Sequence, residues 1–410
     1  MTNPRVAPGV RARPRRSHPW IPADAVAGKR RLRRALVAGV VLLAGTLQAQ
    51  STAVAPPSLD QRLQQKLDSV RIAEKWPGVT IGISLPGRRS LALASGWSDT
   101  TRRVAMTPAD RLLQGSVGKT YVAAIALQLV HEGKLDLGAR IATYLGTEPW
   151  FNRLPNAALI TVRHLMNHTS GLVRYEFDPR VAAVLKAQPF KEWSPEERLS
   201  YLFDTRAAFA PGGGWDYSDT NYIVLAMIIE RVTGQPYYDL LRTRILEPHA
   251  LRNTIPSDRR RLPGVVNGYA GPKNELGGYD ASMVNGELAI NPQFEWTGGG
   301  VASTSEDLAR WARLLYTGQV IDSSMVRLML DGVPMRAGSD MKYGLGAMIR
   351  ESRLGPAWGH SGFFPGYATE VLYFPRQDVA VAIQVNMTDP YPRGLVGVLV
   401  AFAEAAAPER

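Results

Sequence analysis

An α+β fold is predicted for this 410-residue chain by three observations. Strand-like runs gather near both ends of its main body, at 78–97 and 343–386. Helix-like apolar spacing and Gly/Pro-rich loops fill the stretch between them. No internal repeat interrupts this order. A sheet built from both termini, with a helical lobe inserted, accounts for all three.

The elements follow in order. Residues 1–50 hold ten basic side chains and one acid, Asp24. The run Lys29 to Arg34 is followed by an apolar stretch from Ala35 to Leu47, then by small and polar residues around Ala49. A basic segment, a short apolar core and a small-residue exit read as a secretory signal with cleavage near residue 50. The apolar stretch is short for a membrane anchor, which needs about 20 residues. A linker follows over 51–57. Leu59 to Trp76 has helical spacing, and Gly78 to Leu85 and Ser90 to Trp97 read as strands joined by a turn at Pro86 to Arg89. Ser116 to Glu132 turns helical, with Gly133 as its stop. Tyr343 to Arg350, Gly366 to Phe374 and Asp378 to Asn386 return to strand, and a last helix begins near Leu395.

Charge narrows the class of partner. The chain carries 48 Lys+Arg and 36 Asp+Glu, a net of +12. Removing the leader's ten bases and one acid leaves 38 and 35, so the body is close to neutral and gives no argument for nucleic acid. Cys is absent, which excludes a disulfide scaffold and a cysteine-ligated metal site.

Three motif resemblances fail on their own terms. Gly115 to Thr120 looks like a phosphate loop, but Leu113 stands where the first glycine is required. Gly359 to Phe363 looks like a nucleophile elbow, but Phe363 replaces the closing glycine and no His follows His360. His164 and His168 stand four apart, as on a zinc-binding helix, yet the intervening residues lack the Glu. No metal or cofactor is expected.

What survives is Ser116-Val117-Gly118-Lys119, an S-x-x-K tetrad at a predicted helix start. Residues i and i+3 share a helix face, so the amine can reach the hydroxyl. The Lys would take the Ser proton when neutral, or assist electrostatically when charged. The helix N-terminus points free N–H groups where an oxyanion forms. Nine Lys and 22 Ser give about half such a pair by chance, so the tetrad alone is weak. Tyr217-Ser218-Asp219 adds a tyrosine that a nearby Lys would help to ionise. His360-Ser361-Gly362 adds a glycine that would let substrate approach the backbone, with the Phe363 N–H as a second oxyanion donor. Read singly, each has an ordinary structural explanation.

In this order the three elements resemble the serine β-lactamase-like family: class C β-lactamases, D,D-carboxypeptidases, D-aminopeptidases and β-lactamase-fold esterases. Arg163 to Leu172, Pro211 to Tyr222, Thr297 to Leu315 and Gly359 to Tyr367 carry the same likeness, which runs from about residue 58 to the C-terminus. The resemblance implies an antiparallel sheet flanked by helices plus an all-helical lobe. The catalytic domain would span 58–410, with the sheet lobe at about 58–115 and 295–410 and the helical lobe at about 116–294. It implies Ser116 as nucleophile, Lys119 as its partner, Tyr217 as base or shuttle and His360 in the place of the third-motif Lys or His. Backbone N–H groups of Ser116 and Phe363 would form the oxyanion hole, and Asp219, Ser361 and Gly362 would contact substrate. Asp219 stands where class C enzymes have Asn, and His360 where they have Lys. A His of ordinary pKa is mostly neutral at pH 7 and holds a carboxylate less firmly. The expected activity is therefore exported hydrolysis of an amide or ester through an acyl-serine, on a D-amino-acid peptide or small ester. A class C-type β-lactamase is the alternative, and a non-catalytic cell-wall or ligand-binding homologue is the second. The implied partner is a small molecule or peptide, with membrane contact only through an uncleaved leader.

Overall fold

The computed structural model describes residues 57–407, apart from 88–89, 273, 275 and 277–278. The leader, nearly all of the linker and two residues of the Pro86–Arg89 turn lie outside the described residues. The folded body forms one compact unit from Pro57 onward.

Its centre is a nine-stranded antiparallel sheet. From one edge to the other, the strands are Val104–Ala105, Leu91–Asp99, Gly78–Ser84, Val379–Val385, Tyr367–Phe374, Gly355–Phe364, Met348–Ser352, Lys342–Tyr343 and Val333–Pro334. The N-terminal strands join the C-terminal ones through the pairing of Val79 with Val385 and Ile83 with Val381. The strands Gly78–Ser84, Tyr367–Phe374 and Val379–Val385 are buried along their whole length. Such strands must be covered on both faces.

The two covers are distinct. On the outer face, Leu63 and Leu67 of the Leu59–Glu74 helix pack with Leu399 and Phe402 of the Leu395–Ala406 helix onto Ile81, Ile83 and Ile383. The first helix opens on a capping box, with Ser58 Oγ accepting from Gln61 N and Gln61 Oε1 accepting from Ser58 N. On the inner face the Ser305–Tyr316 helix crosses the sheet, capped by Thr304, whose side chain accepts from Asp307 N.

Beyond that helix lies the inserted helical part. Its two central helices, Lys119–His131 and Asp219–Thr233, are buried on nearly every face. A helix apolar all round belongs in an interior, and these two carry the segments that matter most. The Trp311 indole N–H donates to Thr120 Oγ1 at 2.8 Å, and its ring stacks on Tyr121 at 4.1 Å. That stacked pair contributes about 0.5–1.5 kcal/mol and locks the Lys119–His131 helix to the inner helix. The sequence reading of Tyr343 to Arg350 as one strand is corrected: the chain turns between Tyr343 and Met348, where Gly344 N donates to Ala347 O.

Candidate active site

Ser116 sits in a single 3₁₀ turn, Gly115–Gly118, which runs directly into the Lys119–His131 helix. The i, i+3 spacing still brings the pair together, and Lys119 Nζ donates to Ser116 Oγ at 3.1 Å. Gly118 is required here by close approach: a Cβ would lie 1.6 Å from the Gly299 carbonyl oxygen. That contact lays the 295–300 loop over Lys119, whose Nζ also donates to Gly298 O.

Lys119 is fully buried and ion-paired with Asp219 Oδ1 at 2.6 Å. Asp219 opens the Asp219–Thr233 helix, where the helix dipole favours an anion. Burial alone would push the amine down, but Asp219 and then Tyr217 outweigh it and hold Lys119 above its ordinary value. Burial likewise raises the Asp219 carboxyl, yet Lys119 and Arg174 keep it below the usual carboxylate range. Both directions favour a protonated amine beside an ionised Asp219.

Tyr217 lies beside this pair, with Lys119 Nζ 4.9 Å from its ring centroid. Burial pushes its phenol above the usual value; Lys119 opposes this and Asp219 adds to it. Lys119 therefore does not bring the phenol down on balance, because desolvation is the larger effect. His168 backs the same ring at 4.3 Å between centroids. Its Nδ1 accepts from Ser218 N at 3.3 Å and lies 3.0 Å from Asn221 Nδ2, and its carbonyl accepts from Asp216 N at 3.1 Å. Burial, with Lys119 adding to it, holds this imidazole neutral. The residue that looked like half a zinc site clamps the Tyr217 segment from both sides. Its neighbour His164 closes a capping box with Thr161.

His360 lies in the interior of the Gly355–Phe364 strand and is fully buried. Its Nδ1 faces the Ser361 carbonyl at 2.6 Å, which only accepts, so Nδ1 carries the proton. Nε2 then accepts from Tyr343 OH at 2.9 Å. Burial drives its pKa down to about 3, with Lys119 next in effect. His360 therefore contacts Tyr217 through their rings, at 6.1 Å between centroids, as a neutral group.

The three residues expected to contact substrate each have a partner within the protein. Asp219 faces Lys119. Ser361 Oγ donates to Glu370 Oε2 at 2.7 Å. A Cβ at Gly362 would lie 1.9 Å from Gln114 O, so that glycine admits the nucleophile segment. The same packing brings Gly115 against Phe363, setting the two expected oxyanion segments face to face.

Several residues at the site carried no motif. Arg174 donates to Glu176 Oε1 at 2.5 Å and lies 4.0 Å from Asp219 Oδ2. Burial raises Glu176 to about 7 and Glu295 to about 8, with Arg174 opposing the first and Asp219 adding to the second. Their only signal in the sequence was adjacency: Arg174 and Glu176 follow His168 to Leu172 closely, and Glu295 just precedes Gly298 to Gly300.

Half-buried Ser116 and Tyr217 meet the fully buried Lys119 between an antiparallel sheet and an inserted group of helices, an arrangement suited to a serine nucleophile with its proton-transfer partners. The chain matches the Beta-lactamase family over residues 59–403 and belongs to it. It is 27% identical to penicillin-binding protein 4* of Bacillus subtilis, over 68% of this chain and 61% of that one. It is 28% identical to a D-aminopeptidase of Brucella anthropi, over 72% of this chain and 53% of that one. The chain thus spans little more than half the length of these relatives. Among solved structures, a D-stereospecific amidohydrolase from Streptomyces sp. aligns at 28% identity with a TM-score of 0.69, covering 79% of this chain and 93% of that one. The D-amino acid amidase from Ochrobactrum anthropi SV3, complexed with D-phenylalanine, aligns at 25% and 0.70, covering 86% and 99%.

Proposed function

We propose that this chain is an exported serine amidohydrolase that transfers the acyl group of a D-amino-acid amide or peptide, or of a small ester, to Ser116 and then to water. The observation that carries the reading is the cluster itself, in which half-buried Ser116 Oγ, buried Lys119 Nζ and Asp219 form one chain of contacts at 3.1 and 2.6 Å beside Tyr217. The D-specific activities named for the similar proteins support the substrate class.

In this reading Ser116 Oγ attacks the carbonyl carbon and its proton passes to Tyr217, which then protonates the leaving amine. Tyr217 takes the proton in its ionised form, and charged Lys119 stabilises that phenolate before the transfer and the Ser116 alkoxide as it develops. The backbone N–H groups of Ser116 and Phe363 receive the oxyanion. Water repeats the sequence on the acyl-enzyme.

The test is Ser116→Ala, with turnover read on a D-amino-acid p-nitroanilide, its L-enantiomer, a p-nitrophenyl ester and nitrocefin. Wild type is expected to favour the D-anilide over the L-form, and the variant to lose several orders of magnitude in kcat together with fluorophosphonate labelling. Near-wild-type turnover in Ser116→Ala removes the mechanism. Preference for nitrocefin over the D-anilide replaces the substrate class with a β-lactam.

A further inference from the structure

We propose that Glu370 is a specificity residue whose carboxylate occupies, from within the protein, the place a substrate carboxylate would take at Ser361 and Arg350. The enzyme would thereby favour leaving groups without charge, such as carboxamides, amide-capped peptides and neutral alcohols. Peptides ending in a free carboxylate, and β-lactams, would be disfavoured. This rests on the reading of the chain as a D-specific amidohydrolase.

Register is the first ground. Ser361 pairs directly with Glu370 across the Gly355–Phe364 and Tyr367–Phe374 strands, so the two side chains share one face of the sheet. Ser361 is partly exposed and lies between His360 and Gly362, on the strand that packs against the segment leading to Ser116.

Hydrogen-bond polarity is the second. The Ser361 hydroxyl gives its hydrogen to Glu370 Oε2 at 2.7 Å, so towards a ligand its oxygen only accepts. A carboxylate also only accepts. The third ground is the cation. Arg350 Nη2 lies 3.2 Å from Glu370 Oε1, both side chains are more than nine-tenths buried, and Arg350 Nε has no hydrogen-bond partner. A guanidinium placed to receive a carboxylate already faces one.

Among the described residues, the charged groups already named at the site are each matched or neutral. His360 is neutral, with its one N–H on the Ser361 carbonyl. Lys119 is matched by Asp219, and Arg174 by Glu176. An arriving carboxylate would meet a hydroxyl that cannot donate and an anion behind it, whereas a carboxamide N–H would meet an acceptor.

The test compares D-alanyl-D-alanine with D-alanyl-D-alaninamide on the full chain, wild type and Glu370→Gln. Wild type is expected to favour the carboxamide in kcat/KM by about tenfold or more, and Glu370→Gln to move that ratio towards the carboxylate by a similar factor. Equal wild-type turnover of the two peptides, or an unmoved ratio in Glu370→Gln, overturns the proposal while leaving a D-specific amidohydrolase intact. A second arm needs neither the peptides nor the variant: benzylpenicillin and its methyl ester compete with a fluorophosphonate for Ser116 in wild type. Faster acylation by the ester supports the proposal even if neither peptide is hydrolysed, an outcome that would overturn the substrate reading. Faster acylation by the free acid overturns the role given to Glu370.

Discussion

At the scale of single residues, the site stores its charge in matched pairs, and Lys119 with Asp219 is the pair that governs chemistry. Both Lys119 and Tyr217 are held above their ordinary values, so each keeps its proton at neutral pH. A base that must lose a proton at high pKa becomes active in proportion to hydroxide, tenfold per unit below its pKa. The kcat/KM for a D-amino-acid anilide is therefore expected to climb from neutrality to about pH 9, since the reference phenol titrates at about 10. A plateau at neutral pH would contradict this. Asp219→Asn should move the rising limb to lower pH whichever group is the base, because the Asp219 charge raises both. An unmoved limb would mean that this pair does not set the base. The motif residues Ser116, Lys119, Tyr217 and Asp219 were legible because the chemistry fixes their identities and local spacing. Arg174, Glu176, Glu295 and Glu370 were not, because an ion pair formed across the fold leaves no periodicity in the chain. The same gap hid the neighbours of Ser361 and Gly362 within the protein, Glu370 and Gln114, which are set by strand register and packing.

At the scale of elements, the loop over Lys119 depends on a residue with no chemical role. Arg198 is wholly buried and donates to three carbonyls, those of Trp193, Gln293 and Phe294. The Tyr175 hydroxyl donates to the same Phe294 oxygen at 2.7 Å. These bonds hold the entrance to the segment that supplies Glu295 and Gly298 to the site. Arg198→Met would remove three hydrogen bonds from a charged donor, each worth about 1.5–3 kcal/mol, and leave the carbonyls of Trp193, Gln293 and Phe294 with only Gln293 Nε2, Glu295 N and Tyr175 OH as donors. The expected result is a lower denaturant midpoint at unchanged slope, with a fall in kcat/KM as Gly298 leaves Lys119. A variant with the wild-type midpoint would show that the loop holds itself. Helices were easier to read than strands at this scale. The Leu59 and Leu395 helices have long apolar patterns, whereas the strand bearing His360 was unread upstream of its motif. That strand, Gly355–Phe364, includes three glycines and a proline and lacks the β-branched alternation by which strands are recognised. Burial between neighbours, not propensity, makes it a strand.

At the scale of the whole molecule, the sheet is closed by strands from both ends of the body, so neither the N-terminal nor the C-terminal part can hold the site alone. That architecture was visible in the order of strand-like and helix-like texture, because a buried sheet and an interior helix demand different periods. The body opens on a helix whose capping box meets the Ser58 and Gln61 N–H groups. A signal cleaved near residue 50 would leave a short linker and then this closed helix start. We propose export on that basis, from the Lys29 to Leu47 pattern of a basic run and an apolar core too short to anchor. The absence of Cys means that the fold needs no disulfide from an oxidising compartment. Intact mass and N-terminal sequencing of the protein from the extracytoplasmic fraction of its native host should place the first residue near 50. Soluble protein that still carries residues 1–34 would mean that the basic run is retained, and would overturn cleavage near residue 50.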